Sequence, residues 1–285
     1  MEKFNSFWSI FVRKLSIYVL LFCSLSVSAQ LKIYVNTDLE GISGVFNFKQ
    51  TREKDSPENL KACEYFMGDL AAVVRGLKDG GASEIVVLDG HGNQAVIPHL
   101  MEAGATYITG KPRPGAGNLS ELDSSFAAMV MIGFHAMNGT KDGVLHHTQS
   151  SRSESRYWYN GIESGELLQN AVIAGYYNVP MVMVTGDEAT CREARTFFGK
   201  EIITVATKKG LGREAARLYP FEETRQALYE GAKNAIRAIP NIKPYHLKYP
   251  CKVKKQSLVK EKGSDKPKPV IKEKTINNAL EVLDI

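Results

Sequence analysis

The chain has 285 residues, of which 44% are hydrophobic and 24% charged. That is enough for one large domain or two modest ones with a real core, and it excludes a coiled coil, a collagen or a wholly disordered chain. The formal net charge is +5, with the basic excess gathered mainly between Lys252 and Lys268; a run of this kind is a solvated loop and no nucleic-acid footprint.

Lys3, Arg13 and Lys14 lead into an apolar run from Leu15 to Val27, closed by Val27-Ser28-Ala29 before Gln30. This is the pattern of a cleaved secretory signal over residues 1–29, with an uncleaved anchor as the alternative. The run is short for a membrane span, and Phe22 stands before Cys23 where a lipoprotein site needs a small residue. Residues 1–29 hold three basic residues and one acid, so removing them leaves 33 basic and 30 acidic residues. The expectation is an exported protein, periplasmic or secreted, with no stable membrane insertion after signal cleavage. Cys63, Cys191 and Cys251 then remain, widely spaced and odd in number, which is no disulfide framework. Cys63 falls on the apolar face of a predicted helix, as a core cysteine would.

From Leu31 to Thr37 the β-branched content predicts a strand, broken by Asp38-Leu39-Glu40-Gly41-Ile42-Ser43-Gly44. A helix is predicted from Ser56, with Ser56 as cap, Pro57 in the first position and Glu58 in the first turn. Leu60, Cys63, Met67, Leu70, Val74 and Leu77 recur at helical spacing, and Gly80-Gly81 stops the run. Buried strands are expected at Glu84 to Asp89, Ala127 to Phe134 and Met181 to Thr185, with a weaker one at Ala105 to Ile108, a short one at Arg156 to Tyr159 and a further one at Ile202 to Ala206. Ser164 is read as the cap of a helix reaching Tyr176, and further helices are expected from about Glu188 and from Phe221 to Ile239. Such alternation argues for an α/β fold, a three-layer αβα arrangement around a mostly parallel sheet, over residues 30–210. Residues 211–285 are expected to form a smaller α+β domain, with Lys262 to Pro269 as a loop.

Asp38 and Glu40 follow the first strand, His91 the second, and His135 the long apolar one. In open α/β sheets, sites gather outside the carboxyl ends of the strands, so these groups share one rim. Glu166, in the first turn of a later helix, can join from the side. Carboxylate and imidazole donors without thiolate suit zinc, with manganese or cobalt as further fits. Five donors exceed one open tetrahedral site and fit two ions sharing a carboxylate, for which Asp38 is the short, strand-end candidate. Taken singly, each has a plainer explanation: loop carboxylates, structural histidines, a helix N-terminal acid. His146 and His147 follow in a Gly-Val-Leu-His-His-Thr loop shortly after His135 and present a base or a substrate-orienting group, or else surface histidines. His99 and His246 lack such a context.

At these residues the sequence closely resembles the dizinc D-aminopeptidase family, metallopeptidases first linked to a dipeptide-transport operon. The blocks are Asp38-x-Glu40-Gly41-Ile42-Ser43-Gly44, Asp89-x-His91, Gly133-Phe134-His135-Ala136, Gly143-Val144 with His147, Gly165-Glu166-Leu167, Ala174-Gly175-Tyr176-Tyr177-x-Val179-Pro180 and Val184-x-Gly186-Asp187. The resemblance runs from about Leu31 to Pro240. It implies metal ligation by Asp38, Glu40, His91, His135 and Glu166, two zinc ions, and His147 as the catalytic histidine. It also implies short peptide substrates with an N-terminal D-residue and a homo-oligomeric ring, a decamer. His146 stands where the family has a serine, and the loop from His135 to Gly143 is one residue longer; both bear on substrate fit and on the role of His147. An exported copy would meet cell-wall fragments, which contain D-residues. The same donor set also suits another two-metal amidase or phosphoesterase, and a catalytically silent peptide-binding protein of the envelope is the third reading.

Overall fold

Strand β1 (Lys32–Thr37) is buried along almost its whole length because parallel neighbours flank it on both sides, β2 (Glu84–Leu88) and β4 (Ala128–Ile132). The structure is a computed structural model that describes residues 31–111, 119–259 and 267–285. The expected signal at 1–29 lies outside these residues, as does most of the Lys-Pro-rich loop.

With β3 (Thr106–Ile108), β7 (Met181–Asp187), β8 (Ile203–Gly212) and β9 (Ala215–Leu218), the strands form a sheet of order β3-β2-β1-β4-β7-β8-β9. All pairings are parallel except β8 with β9. Alternation along β1 supplies both faces of the sheet. Ile33 and Val35 join one core with Leu70, Val74 and Leu228, whereas Tyr34 joins the other with Leu167, Leu168 and Met129. Each such side chain, removed from water, contributes on the order of 1.5–3 kcal/mol.

The first face is covered by helices α2 (Pro57–Gly80) and α5 (Phe221–Ala238), preceded by the short α1 (Lys49–Arg52). Ser56 caps α2, its hydroxyl accepting from the Asn59 amide at 3.1 Å, and Gly81 ends it with φ 112°. The second face carries α3 (Glu166–Tyr176) and α4 (Glu188–Phe198). The expected three-layer, mostly parallel architecture is therefore present. Ser164 differs from expectation. It ends the short strand β6 (Ile162–Ser164) and donates to the Ile162 carbonyl, and Gly165 takes the cap position. A Cβ at Gly165 would stand 2.7 Å from that of Met137, so a side-chain cap has no room there.

A second, antiparallel sheet has the order β11-β10-β5-β6, with β5 at Arg156–Tyr159, β10 at Cys251–Val259 and β11 at Lys268–Ile276. It draws strands from both sides of the expected boundary at 210/211, because β10 pairs back onto β5 with Val253 opposite Tyr159. Position 210 itself lies inside β8, and Leu31–Ile285 forms one unit by its contacts. Among the described residues no helix is long and apolar enough to cross a membrane.

Candidate metal centre

The strand order reverses at β1: β2 and β3 lie to one side, β4 and β7 to the other. That switch point leaves a crevice at the carboxyl ends of β1 and β4. Asp38 leaves β1 there, its amide still donating to the Ile132 carbonyl at 2.8 Å, and His135 leaves β4. The two exits cross in backbone contact: the Gly41 amide donates to the Gly133 carbonyl at 2.7 Å. A Cβ on Gly41 would overlap the Phe134 carbonyl, and one on Gly133, where φ is +74°, would overlap that of Asp38. Glycine is what lets the crossing close. The fully buried Lys208 fastens the turn from below, donating to the carbonyls of Glu40 (2.7 Å) and Ile42 (2.8 Å). Thr207 Oγ1 donates to the Gly41 carbonyl between them.

His91 is delivered by the loop after β2. That loop winds around the buried Asp89 carboxylate, which accepts from the amides of Ala95 (3.0 Å) and Val96 (3.1 Å). Asp89, conspicuous in the sequence, thus shapes the His91 loop. His147 arrives on a segment tied down by Asp187, which accepts from the Val144 amide at 2.5 Å while capping α4. The segment after His135 is held by Glu193, which accepts from the Met137 amide at 2.8 Å.

Three imidazoles converge in one pattern. A carbonyl oxygen only accepts, so the ring nitrogen facing one must carry hydrogen. His91 Nε2 donates to the Thr51 carbonyl (3.0 Å), His135 Nδ1 to that of Ala136 (3.0 Å) and His147 Nδ1 to that of Leu145 (2.8 Å). The opposite nitrogens all face carboxylates. His91 Nδ1 lies 2.9 Å from Asp38 Oδ1 and 3.3 Å from Glu40 Oε2. His135 Nε2 lies 3.4 Å from Asp38 Oδ2 and 3.5 Å from Glu166 Oε1, and His147 Nε2 lies 4.0 Å from the same Glu166 oxygen. Glu166 Oε1 is itself steadied by the Gln149 amide at 2.6 Å.

Burial opposes charge on every member, yet the mutual attraction wins at the centre. Glu40 sits well below its ordinary value because His91, His147 and His135 together outweigh its burial. Burial pulls His91 and His135 down, but the surrounding carboxylates hold both well above the ordinary value. Glu166 is likewise held low, its burial outweighed by His135 and His147. The cluster therefore demands positive charge among its carboxylates, as protons or as a cation. His147 differs: burial and the neighbouring His135 lower it. His146 turns away from the crevice and accepts from the Gly139 amide at 3.0 Å; burial depresses it to about 4.

The donor set fits a metal. Glu40 Oε2 and His135 Nε2 are buried without a hydrogen-bond partner, an expense that a coordinated cation would offset. Ligand atoms of Asp38, Glu40 and His135 lie within 4.8 Å of one another, as do those of His135, His147 and Glu166. Each imidazole has its outer nitrogen pinned by a carbonyl, the arrangement that orients metal-binding histidines. All five residues expected as ligands are brought together, and His147 stands among them.

A family model described as D-aminopeptidase, peptidase M55, matches residues 31–262. The chain belongs to the M55 family. A D-aminopeptidase of Bacillus subtilis (strain 168) is 28% identical to this M55 member over 217 residues, covering 75% of this chain and 77% of that protein. A solved structure, described as the Zn-dependent D-aminopeptidase DppA from Bacillus subtilis, a self-compartmentalizing protease, shares its fold. The TM-score is 0.78 at 22% identity, over 88% of this chain and 94% of that one.

Several supporting residues of this M55 member escaped sequence reasoning. Lys208, Glu193 and the Thr51 carbonyl act across 168, 56 and 40 positions of chain. Only Lys208 carried a signal, a lysine in an otherwise strand-like run.

Proposed function

We propose that this protein is an exported, zinc-dependent aminopeptidase that removes an N-terminal D-amino acid from short peptides, cell-wall fragments among them. The observation that carries this reading is the convergence of three carbonyl-pinned imidazoles on the carboxylates of Asp38, Glu40 and Glu166 at the switch point. Asp38, Glu40, His91, His135 and Glu166 would hold two zinc ions, the two Asp38 oxygens facing His91 and His135 separately. Zinc suits these donors, and manganese or cobalt would fit them too. Such a pair supplies Lewis-acid polarisation of the scissile carbonyl and a nucleophile acidified towards neutral pH.

The chain's own part is positioning and proton transfer. His147 donates from Nδ1 to Leu145, which leaves Nε2 as a free base facing the crevice. Its lowered pKa keeps it neutral near pH 7, so it accepts a proton from the nucleophile and returns it to the departing amine. The crevice has a volume of about 370 Å³, the scale of a small-ligand site, which suits a peptide of few residues. The self-compartmentalizing character described for DppA and the family resemblance support a homo-oligomer here, a decamer.

The zinc-loaded chain lacking residues 1–29 should cleave D-alanyl dipeptides in preference to L-alanyl dipeptides and phosphoesters. Turnover confined to phosphoesters would replace the reading with a two-metal phosphoesterase. Peptide retention without cleavage would leave a binding protein. Sedimentation velocity tests the assembly, and cell fractionation tests the export.

A further inference from the structure

The crevice is lined by side chains of opposite sign: the carboxylates Asp38, Glu40 and Glu166, and the cations Arg52, Arg152 and Lys111. Among the described residues, no carboxylate forms an ion pair with Arg52 or Arg152. The third arginine nearby, Arg213, is already paired with Glu154 at 2.7 Å.

Arg52 is held for recognition. Its guanidinium lies 3.3 Å above the Phe48 ring centroid. Nε donates to Ser151 Oγ at 2.9 Å and Nη2 to the Ser151 carbonyl at 2.5 Å. One edge of the fork is thereby occupied and the Nη1–Nη2 edge is left open. A fixed, planar pair of donors of this kind matches a carboxylate in bidentate geometry. The preceding residue, Thr51, is the one whose carbonyl pins His91, so the open edge keeps a set register with the metal centre. Arg152 is exposed on the loop that follows Gln149, whose amide holds Glu166. Burial, and after it the charges of Arg152 and Arg213, depress the Arg52 guanidinium from its ordinary value, with Glu214 and Glu40 pulling the other way; Arg52 and Arg152 therefore lie within electrostatic reach of each other.

We propose that Arg52 and Arg152 form a subsite for the C-terminal carboxylate of the peptide, so that the enzyme measures its substrate from amine to carboxylate. This rests on the aminopeptidase reading and deepens it. A zwitterionic short peptide then spans the crevice with its amine at the carboxylates and its carboxylate at the arginines. Longer peptides would carry the carboxylate past the arginines and forfeit the contact.

The test compares D-alanyl-D-alanine with D-alanyl-D-alaninamide on the zinc-loaded enzyme. Charge-assisted bonds of this type translate into a preference of roughly 10- to 100-fold in kcat/KM for the free acid, expressed in KM. Arg52→Lys keeps the charge and loses the fork; Arg152→Ala removes an exposed side chain and leaves the core alone. Each should lower the acid-to-amide ratio about tenfold. Equal rates on acid and amide in the unaltered enzyme overturn the subsite, as does a ratio unchanged in both variants. A ratio lowered in one variant alone overturns the pairing of the two arginines. Cleavage of neither peptide counts against the aminopeptidase reading. The subsite is then judged by calorimetric titration of the zinc-loaded protein with the same two peptides, where equal affinities overturn it and tighter binding of the acid upholds it.

Discussion

His135 and His147 stack ring on ring, their centroids 3.8 Å apart and their planes 17° from parallel. Each turns its Nε2 towards Glu166 Oε1, yet they lie in different electrostatic surroundings. His135 has Asp38 on its other side and is held high; His147 lacks that second carboxylate contact and is held low. The pair thus divides into a residue suited to a cation and one suited to a proton.

Alanine substitution should separate the two roles. His135→Ala should lose bound metal and activity together. His147→Ala should keep its metal and lose roughly 10²- to 10⁴-fold in kcat, the span of general acid–base catalysis. Metal content by plasma mass spectrometry, beside initial rates, checks both. Full turnover by the His135 variant would sink the metal assignment, and metal loss from the His147 variant would make that residue a ligand.

Chelation should abolish activity, and zinc should restore it. Binding to the folded state alone adds about 2.7 kcal/mol at a hundredfold excess over Kd. The melting temperature should therefore rise by several degrees on zinc addition, as a thermal scan would show. An unchanged melting temperature in zinc would contradict a cluster that needs positive charge among Asp38, Glu40 and Glu166.

Lys208→Met should weaken the site from beneath. The ammonium satisfies two buried carbonyls of the ligand turn, at Glu40 and Ile42. Each carbonyl left unpaired costs about 1–3 kcal/mol. Urea denaturation should report a loss on the order of 2–5 kcal/mol, with weaker zinc affinity in whatever folded fraction remains. A stability within 0.5 kcal/mol of the parent, the scale of ordinary surface substitutions, would show that the turn holds itself.

Thiol chemistry gives the pH dependence with a clear sign. Burial raises Cys191 to about 12, against the lowering effect of Arg195, and burial raises Cys63 and Cys251 as well. A thiol whose folded pKa lies above its unfolded value adds stability that is full below about pH 8.5 and fades as pH climbs towards the folded value. At pH 8 the native chain without residues 1–29 should leave Cys63, Cys191 and Cys251 unmodified by an aromatic disulfide reagent and release all three on denaturation. Rapid labelling of Cys191 in the native state would place it outside the core.

How much of this was legible beforehand follows from the range of the interactions. Ser56 and Pro57 announced α2 because a cap acts within one turn of its own residue. Ser164 misled because its neighbour Gly165 packs against Met137, a contact across 28 positions that no local pattern records. The C-terminal strands read as a separate piece because their partner β5 lies about a hundred residues earlier.

The sequence by itself determined which donors exist and that they fall at strand ends. Asp38, Glu40, His91 and His135 each follow an apolar run, and a run of that kind cannot continue through charged or turn-forming residues. Only the tertiary structure decided which nitrogen of each histidine faces the carboxylates, since that choice depends on carbonyls at Thr51, Ala136 and Leu145 whose identity is the same in every residue. The placement of Lys208 beneath the ligand turn and of Arg52 in the crevice lining was settled at the same level. The order of strands around β1 brings these parts together, and strand order is set by long-range packing and not by local propensity.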